Sequence, residues 1–290
     1  MTKTHPKNSS NSWGPHKIKL TSAWRKPDGM SLVFVLLGVI ILLFISAPLL
    51  KTVVSSSPGV LWNTLLDEEV YSSILLTIYA AMIATLAGLF LGVPLAYLLA
   101  RHHFWGKRLL EGLIDIPIVI PHSAVGVALL FVFGSNFLAG KVFHSVGIGF
   151  FNSVAGVVIA MMFVSLPFLI DSAREGFKAV DIRLEKVART LGASPWRSFF
   201  GISLPLARRS IFSGSIMMWA RGASEFGAVL ILAYYVPFFG HYARVAPILV
   251  ADRFTSFGLG YAQPVTAIVI LISLIVFILL RTIAYRGEKA

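Results

Sequence analysis

Long uninterrupted runs of hydrophobic residues dominate this chain. A helix that crosses a membrane needs about 20 consecutive, mostly apolar residues. Three charged residues interrupt the runs, with Asp115 in the third and Arg221 and Glu225 in the fifth. The pattern therefore predicts an all-α, polytopic membrane protein with six transmembrane helices. Runs that reach or approach the required length cover Met30–Leu50, Val70–Ala100, Gly112–Leu138, Val154–Ile170, Ser210–Phe239 and Phe254–Leu280.

Composition supports this prediction and excludes an ordinary soluble protein. Hydrophobic residues make up 57% of the chain and charged residues 13%, with a mean hydropathy of +0.81. Soluble domains carry roughly a quarter charged residues. The net charge of +12 does not indicate nucleic-acid binding, because the cations occupy short connections between apolar runs and form no basic soluble face.

The cations are divided unequally between the two sides of the predicted helices. Twenty Lys and Arg residues fall on the side of the N-terminal tail and four on the other side. The positive-inside rule then places both termini in the cytoplasm and the acidic cluster Asp67–Glu69 outside. Residues 1–29 are rich in Lys, Ser and Asn, and we expect them to form a disordered basic tail. Residues 30–50 form the predicted first transmembrane helix.

Several kinds of chemistry are missing from the sequence. The absence of cysteine excludes disulfides, thiol catalysis and iron–sulfur clusters. The phosphate-binding pattern G-x-x-x-x-G-K-[ST] is missing, so we expect that this chain does not hydrolyse ATP itself. The seven histidines are scattered and include no H-E-x-x-H, so we expect no metal site. We therefore predict that the chain is not an enzyme and carries no cofactor.

Two prolines interrupt the third apolar run. Pro117 and Pro121 lie four residues apart, and each removes a backbone donor, so they predict a kink or a break there. Backbone carbonyls freed inside a membrane protein line cavities. His122 and Ser123 follow directly and are candidates for contact with a transported substrate, although a packing role for His122 is favoured. For Asp115, a place at the membrane interface is favoured over a hydrogen bond within the span.

Arg221 and Glu225 are the two charges within the fifth run. They are four residues apart and therefore share one helix face, where they are able to pair. Because a charge at the centre of a membrane helix costs at least about 2.5–3.5 kcal/mol, such residues face protein or water. They are candidates for bordering a translocation path or its gate. An internal ion pair that fixes helix packing is the favoured alternative, since a paired cation offers little net charge to an anion.

The connection from Asp171 to Arg209 is the largest on the predicted cytoplasmic side. Its first half carries one apolar helical stripe, with Arg174, Lys178, Glu185 and Arg189 on the opposite face and Glu185 placed to pair with Arg189. The sequence then predicts a bend at Gly192 and a second helix that Ser194 caps. The stripe consists of Phe177, Val180, Leu184, Val187, Ala188 and Leu191.

Pro195 suits the first position of that second helix, and Pro205 predicts its end near Ser203. An amphipathic hairpin on the membrane surface and a docking site for a cytoplasmic partner both fit this connection. The sharp bend at Gly192 favours the docking site, because a surface helix needs no bend.

The end of this connection resembles the EAA loop of ABC importer permeases. Gly192, nine residues, and then Ile202-Ser203-Leu204-Pro205 match the ending G, nine residues, I-x-L-P. The start of the motif departs, because Lys186-Val187-Ala188 replaces E-A-A and the acid stands one place earlier. The resemblance implies that the loop couples to an ATPase subunit through Glu185, Ala188, Leu191, Gly192, Ser194, Ile202, Leu204 and Pro205.

Two further segments resemble the oxyanion permeases. Trp219–Ala228 is similar to their A-R-x-x-[GS]-E-F-G-A segment, and Leu113–His122 is similar to their third span. Ser224 and the Pro121-His122 pair most resemble the archaeal-type molybdate/tungstate permeases. The resemblance covers roughly residues 70–280. It implies that residues 70–282 form a type I ABC transmembrane domain, with the coupling loop at 171–205.

The same resemblance implies the partners. These are a second copy of the chain, two copies of an ATPase subunit that carry the ATP and Mg, and an extracytoplasmic binding protein that delivers tungstate or molybdate. A sulfate/thiosulfate permease subunit is the alternative within the class. A stand-alone membrane channel is the alternative from another class, but a channel does not need the loop bent at Gly192.

Overall fold

The computed structural model describes residues 28–286 and divides the chain into two compact units, residues 1–48 and 49–290. In the first unit, helix α1 (Gly29–Val54) begins where the Asp28 carboxylate accepts a hydrogen bond from the Ser31 backbone N–H at 3.2 Å. It runs past Pro48 into the second unit and contains the predicted first span. The predicted disordered tail lies, except for Asp28 and Gly29, outside the described residues.

The second unit continues as a series of helices with one short β-hairpin. The helices are α2 (Pro58–Leu66), α3 (Glu68–Arg101), α4 (Lys107–Val119), α5 (His122–Phe133), α6 (Leu138–Ser145), α7 (Val154–Ala179), α8 (Ile182–Thr190), α9 (Pro195–Ser198), α10 (Leu204–Ala223), α11 (Gly227–Leu232), α12 (Ala246–Phe257) and α13 (Leu259–Arg286). A π-helical turn (Phe199–Ser203) joins α9 to α10. The antiparallel strands β1 (Val236–Phe238) and β2 (His241–Ala243) pair Val236 with Ala243.

Helix α7 packs against α3 and α10 and forms the centre of the second unit. Small residues let the backbones of α7 and α10 approach closely. A Cβ added to Gly176 would lie 2.5 Å from the Ser210 Cβ, and one added to Gly214 would lie 2.7 Å from the Ser172 Cβ. The Ser172 hydroxyl also donates to the Ser210 carbonyl at 2.7 Å. Close contacts between Gly and Ser are the usual way in which helices associate inside a membrane.

Among residues 28–286, four helices are long and apolar enough to cross a membrane, namely α1, α3, α7 and α13. Helices α4 and α5 make a fifth span if they are counted together, with a bend of 116° between them. Helix α10 has 20 residues but contains Arg208, Arg209 and Arg221, so it is less apolar than the others. The mostly helical fold is therefore confirmed, while the count of six spans stays a prediction.

The predicted boundaries of two spans are wrong. The fifth run extends to Phe239 in the sequence, but α10 ends at Ala223, and α11 and β1 follow. The sixth run is divided at Gly258, whose φ of +81° is left-handed and separates α12 from α13. Hydropathy does not detect these breaks, because it averages over a long window and each break involves only a few residues.

The fourth run also differs, because α7 continues through charged residues to Ala179. Arg174 stabilises this extension by ion pairs with Asp171 at 3.0 Å and with Glu111 of α4 at 3.2 Å. The charged end of α7 is thus packed against protein, and the helix does not stop where the apolar run stops.

Candidate functional site

The loop that follows α7 contains the predicted helix, glycine bend and short helix. Asp181 caps α8 by accepting a hydrogen bond from the Arg183 N–H at 2.9 Å. Gly192 has a φ of +90°, a left-handed conformation that L side chains rarely adopt, and the chain bends there after the end of α8. Ser194 then caps α9 by accepting from the Arg197 N–H at 3.2 Å, and Pro195 is the first residue of that helix.

The predicted end of the second helix near Ser203 is wrong. The chain continues from α9 through the π-helical turn directly into α10, and the Leu204 N–H donates to the Phe199 carbonyl, five residues earlier. In a regular α-helix the ring of Pro205 would clash with the carbonyl of Gly201. The wider π turn avoids this clash, so Pro205 stays within the first turn of α10.

The predicted apolar stripe does not lie on one buried face. Phe177 and Val180 are buried, whereas Leu184, Val187 and Leu191 are exposed. The reason is that Val180 has extended backbone angles, which end α7 and give α8 a new orientation. Of the charged residues that were predicted to lie opposite the stripe, Glu185 therefore turns inward, whereas Arg189 is exposed.

Glu185 fastens α8 to the end of α3, and its predicted pairing with Arg189 is wrong. The Glu185 side chain is only 10% exposed. The Tyr97 hydroxyl donates to Oε2 at 2.8 Å, and Arg101 donates from Nε to Oε1 at 2.8 Å. Arg101 Nη2 also lies 2.6 Å from Oε1. These partners are 84 and 88 residues away in the sequence, so spacing along one helix gave no signal for them.

Five large apolar side chains stand exposed around the bend, and we call this surface the knob. Trp196 stacks on Phe200 with ring centroids 5.9 Å apart and an interplanar angle of 17°. Leu191, beside Gly192, is 83% exposed. Contiguous exposed apolar surface with a polar rim marks an interaction site. The knob consists of Leu184, Val187, Leu191, Trp196 and Phe200, with the exposed cations Arg183, Lys186, Arg189 and Arg197 around it.

The other predicted residues of the loop differ in how far they are buried. Ala188, Ile202 and Leu204 are half-buried, and Pro205 is exposed. Leu204 packs against a buried cluster that contains Leu99, Phe177 and Ile211, from three different helices. The knob is therefore carried on a packed base that includes α3, α7 and α10.

A second group of predicted residues meets where α4, α5 and α10 end or begin. The break in the third apolar run falls at Pro121, which directly precedes α5, whereas Pro117 is buried within α4. His122 is the first residue of α5, and Ser123, next to it, is exposed. A Cβ on Gly227 would lie 2.9 Å from the His122 Cβ, so the glycine there allows α5 and α11 to approach.

His122, Arg221 and Glu225 form one cluster of charged and ionisable groups. The predicted pairing of Arg221 with Glu225 is present, with Nη2 3.1 Å from Oε2. His122 Nδ1 lies 2.6 Å from the same Oε2, and Oε1 accepts the Ala228 N–H at 2.9 Å. Arg221 Nη2 lies 2.7 Å from Nδ1 and 2.8 Å from Nε2 of His122. Sequence analysis identified His122 separately and missed that it belongs with the pair.

The acidic cluster that was predicted to lie outside is part of a second ionic network. Glu69 accepts from Arg244 Nη2 at 2.6 Å and from Arg253 Nη2 at 2.6 Å. Arg244 also pairs with Asp252 of α12. The Tyr234 hydroxyl donates to Asp252 at 2.8 Å, and this hydrogen bond is the main reason why the pKa of Tyr234 is raised. The network connects the start of α3 with α12, and Arg244 and Arg253 are paired with carboxylates in it.

Comparisons with known proteins agree with one another. The family described as "Binding-protein-dependent transport system inner membrane component" matches residues 88–286. The molybdate/tungstate transport system permease protein WtpB of Pyrococcus furiosus is 43% identical over 265 residues, which cover 91% of this chain and 98% of the relative. The probable sulfate transport system permease protein cysT of Chlorokybus atmophyticus is 32% identical, over 73% of each chain.

The fold is similar to a solved structure as well. A chain of a bacterial ABC transporter involved in the import of the acidic polysaccharide alginate has a TM-score of 0.67 and 16% sequence identity, over 88% of this chain and 95% of that chain. At this level of identity, the likeness concerns the fold alone.

Proposed function

This chain belongs to the family of binding-protein-dependent transport system inner membrane components, and on that basis we propose that it is the transmembrane permease subunit of an ATP-driven importer for molybdate or tungstate. Membership confirms the resemblance that the ending G, nine residues, I-x-L-P indicated. It makes the chain a membrane transport component rather than an enzyme. The relative whose name specifies molybdate and tungstate is 43% identical over nearly the whole chain, which supports the choice of substrate.

The observation that carries the proposal is the exposed apolar knob on its fixed base. Leu191 and Trp196 are exposed beside the bend that Gly192 defines, and no other described residue of the chain covers them. We infer that the knob docks on a separate ATPase subunit, which binds the ATP and Mg. Glu185, Ala188, Ile202, Leu204 and Pro205 hold its shape, and Ser194 caps the helix after the bend.

The remaining parts of the proposal follow the family architecture. Two copies of the chain form the pore, an extracytoplasmic protein delivers the oxyanion, and both termini are cytoplasmic. Movement of the ATPase subunits, passed on through the knob, opens the pore alternately to the two sides. We propose that Pro117, Pro121, His122 and Ser123, together with Arg221 and Glu225, border the path.

A charge on the knob is expected to abolish binding to the ATPase. In Leu191→Glu, docking would bury an unpaired carboxylate, which costs several kcal/mol and reduces affinity by at least about a hundredfold. The measurement is co-purification of the ATPase subunit with the tagged permease from membranes. Leu138→Glu is the matched control, because Leu138 is also 83% exposed but begins α6, far from the knob in sequence. Equal retention of the ATPase by both variants would contradict the proposal.

The substrate is tested by uptake into vesicles that contain the assembled transporter. We expect labelled molybdate and tungstate to accumulate with ATP, and excess sulfate to compete poorly. Efficient competition by sulfate would instead favour the sulfate permease, a function that the name of the 32% identical relative suggests. ATP-independent flux of small ions would indicate a channel.

The orientation is testable because the chain contains no cysteine. Single cysteines at Ser10, Thr190 and Ser145 are expected to report on the tail, the end of α8 and the end of α6. In intact cells, a membrane-impermeant maleimide should label Ser145→Cys and leave Ser10→Cys and Thr190→Cys unmodified until the membrane is opened. Labelling of Ser10→Cys in intact cells would reverse the proposed orientation.

A further inference from the structure

The connection between α3 and α4 borders a groove whose residues belong neither to the knob nor to the proposed path. The groove has a volume of about 410 Å³. Four leucines form its apolar lining, three from the last turns of α3 and one from the first turn of α4, namely Leu95, Leu98, Leu99 and Leu110. The connection itself contributes His102, His103 and Phe104. Since Leu98 is 49% exposed, the groove is open and offers apolar side chains to a molecule outside the chain.

The groove lies at the same end of α3 as the knob. Arg101, the last residue of α3, holds Glu185 of α8 by the ion pair described above. Helix α3 has 34 residues and is therefore about 50 Å long. Because the hydrocarbon core of a membrane is about 30 Å thick, the ends of such a helix reach the headgroup region. The groove is thus placed where the headgroups and the first part of the acyl chains of one leaflet surround the protein.

Exposed apolar residues also lie along α4. Leu109, Leu113 and Ile116 are exposed and share one helix face, since their spacings are four and three residues. Glu111 contacts protein instead, through its ion pair with α7. Trp105, just before α4, is fully exposed. Tryptophan is enriched where a membrane meets water, with its ring at the level of the headgroups. This side of α4 is therefore suited to contact with lipid.

Two cations begin α4 beside the groove. Lys107 Nζ donates a hydrogen bond to the carbonyl of His102, a lining residue, at 3.3 Å. Arg108 follows directly and is exposed, and its side chain makes no hydrogen bond or ion pair with another residue among 28–286. Lys107 likewise has no carboxylate partner among these residues. The positive charge at this end of α4 is therefore available to an anion from outside the chain.

We propose that this groove binds an anionic phospholipid. Lys107 and Arg108 contact its phosphate by charge-assisted hydrogen bonds, and one acyl chain lies against Leu95, Leu98 and Leu110. A soluble anion such as inorganic phosphate would leave the leucines uncovered, and a zwitterionic lipid would bring its own cation next to the two on α4. An anionic lipid matches both features, because it combines a net negative charge with an apolar chain. Cytoplasmic leaflets contain such lipids and attract Lys and Arg residues near their surface.

The test compares the binding of two lipids to the purified full-length chain. After delipidation in detergent, the chain is titrated with phosphatidylglycerol or with phosphatidylcholine that has the same acyl chains, and native mass spectrometry counts the bound lipids. We expect the first phosphatidylglycerol to bind at least about tenfold more tightly, because each cation near an anionic lipid contributes roughly fivefold. Lys107→Gln/Arg108→Gln should bind the two lipids equally. Arg183→Gln/Lys186→Gln, which removes the same charges from the exposed rim of the knob, should behave like the wild type.

The contact with the acyl chain is tested by Leu98→Trp, which fills the groove and should weaken the binding of both lipids by at least about fivefold. Leu86→Trp is the matched control, because Leu86 also lies on α3 and is 59% exposed but does not line the groove. Equal affinity of the wild type for the two lipids would overturn the proposal, even if no variant folds. So would displacement of phosphatidylglycerol by inorganic phosphate at the same concentration, which would indicate a site for a free anion, or by the ATPase subunit, which would indicate a protein contact.

Discussion

Replacing Glu185 with alanine is expected to release α8 from α3 and to prevent the knob from docking. The substitution leaves Arg101 as a buried cation without its carboxylate, and it leaves the Tyr97 hydroxyl without its acceptor. Removing one partner of a buried ion pair costs about 3–5 kcal/mol. Because this pair joins the loop to the membrane helices, the cost falls on the position of α8. Amide hydrogen exchange of residues 182–190 should rise, and co-purification of the ATPase should be lost.

The control for this prediction is Glu175→Ala. Glu175 also pairs with a cation, Lys178 at 2.8 Å, but its side chain is 62% exposed. Pairs of this kind contribute about 0–1 kcal/mol, so exchange and co-purification should stay close to the wild type. If both variants lose the ATPase to the same degree, the effect is not due to the buried pair.

A double variant distinguishes the cost of an unpaired buried charge from the loss of the ion pair itself. In Glu185→Leu/Arg101→Leu, no buried charge is left without a partner, and replacement of a buried pair by apolar residues is often neutral. We therefore expect it to retain more ATPase than Glu185→Ala does. If the double variant is as defective as Glu185→Ala, avoiding an unpaired buried charge is not enough. The ion pair itself would then be needed to transmit movement between α8 and α3.

The local signals of the loop after α7 were sufficient to predict its bend and the start of α9, but not the π-helical turn that follows. A left-handed glycine at 192, a serine cap at 194 and a proline at the first position of α9 each act over a few residues, and each is present in the structure. The orientation of α8 was predicted wrongly, because it depends on where Glu185 finds a partner. That partner, Arg101, lies on α3, and the spacing of residues within the loop cannot predict it.

The same limit applies to the intramembrane cluster. Spacing alone predicts that Arg221 and Glu225 pair, since they are four residues apart. The third member, His122, comes from a helix about one hundred residues earlier and reaches them because Gly227 permits close approach. With the pair alone, the sequence favoured a packing role. The histidine adds a third polar side chain to the pair, with Nδ1 2.6 Å from Glu225 Oε2.

Helices were predicted well where a hydrophobic run is regular, and poorly where the backbone bends within a run. The bend at Glu225 is held by the carboxylate that accepts the Ala228 N–H, and the break before α13 occurs at Gly258. Hydropathy averages over about 20 residues, so neither a single buried carboxylate nor a single left-handed glycine changes it enough to be seen.

A bulky side chain at Gly176 is expected to destabilise the permease strongly. A Cβ there would lie 2.5 Å from the Cβ and 2.8 Å from the hydroxyl of Ser210, and Ser210 is itself held by the hydrogen bond that its carbonyl accepts from Ser172. Gly176→Leu therefore forces α7 and α10 apart. The lost packing is not recovered by a hydrophobic effect, because lipid tails are as apolar as the side chains that separate. Overpacking costs about 1–3 kcal/mol or more, so the unfolding midpoint in detergent should fall by roughly 5–10 °C.

Gly112→Leu is the matched control for Gly176→Leu. Gly112 also lies within a helix, α4, but a Cβ at this position would meet no atom of the described residues within 4 Å. Leucine is a better helix former than glycine by almost 1 kcal/mol, so the midpoint of this variant should stay unchanged or rise slightly. An equal fall in both would mean that glycine is needed at these positions for a reason other than the α7–α10 contact. A fall confined to Gly176→Leu assigns the stability of the base beneath the knob to the close approach of these two helices.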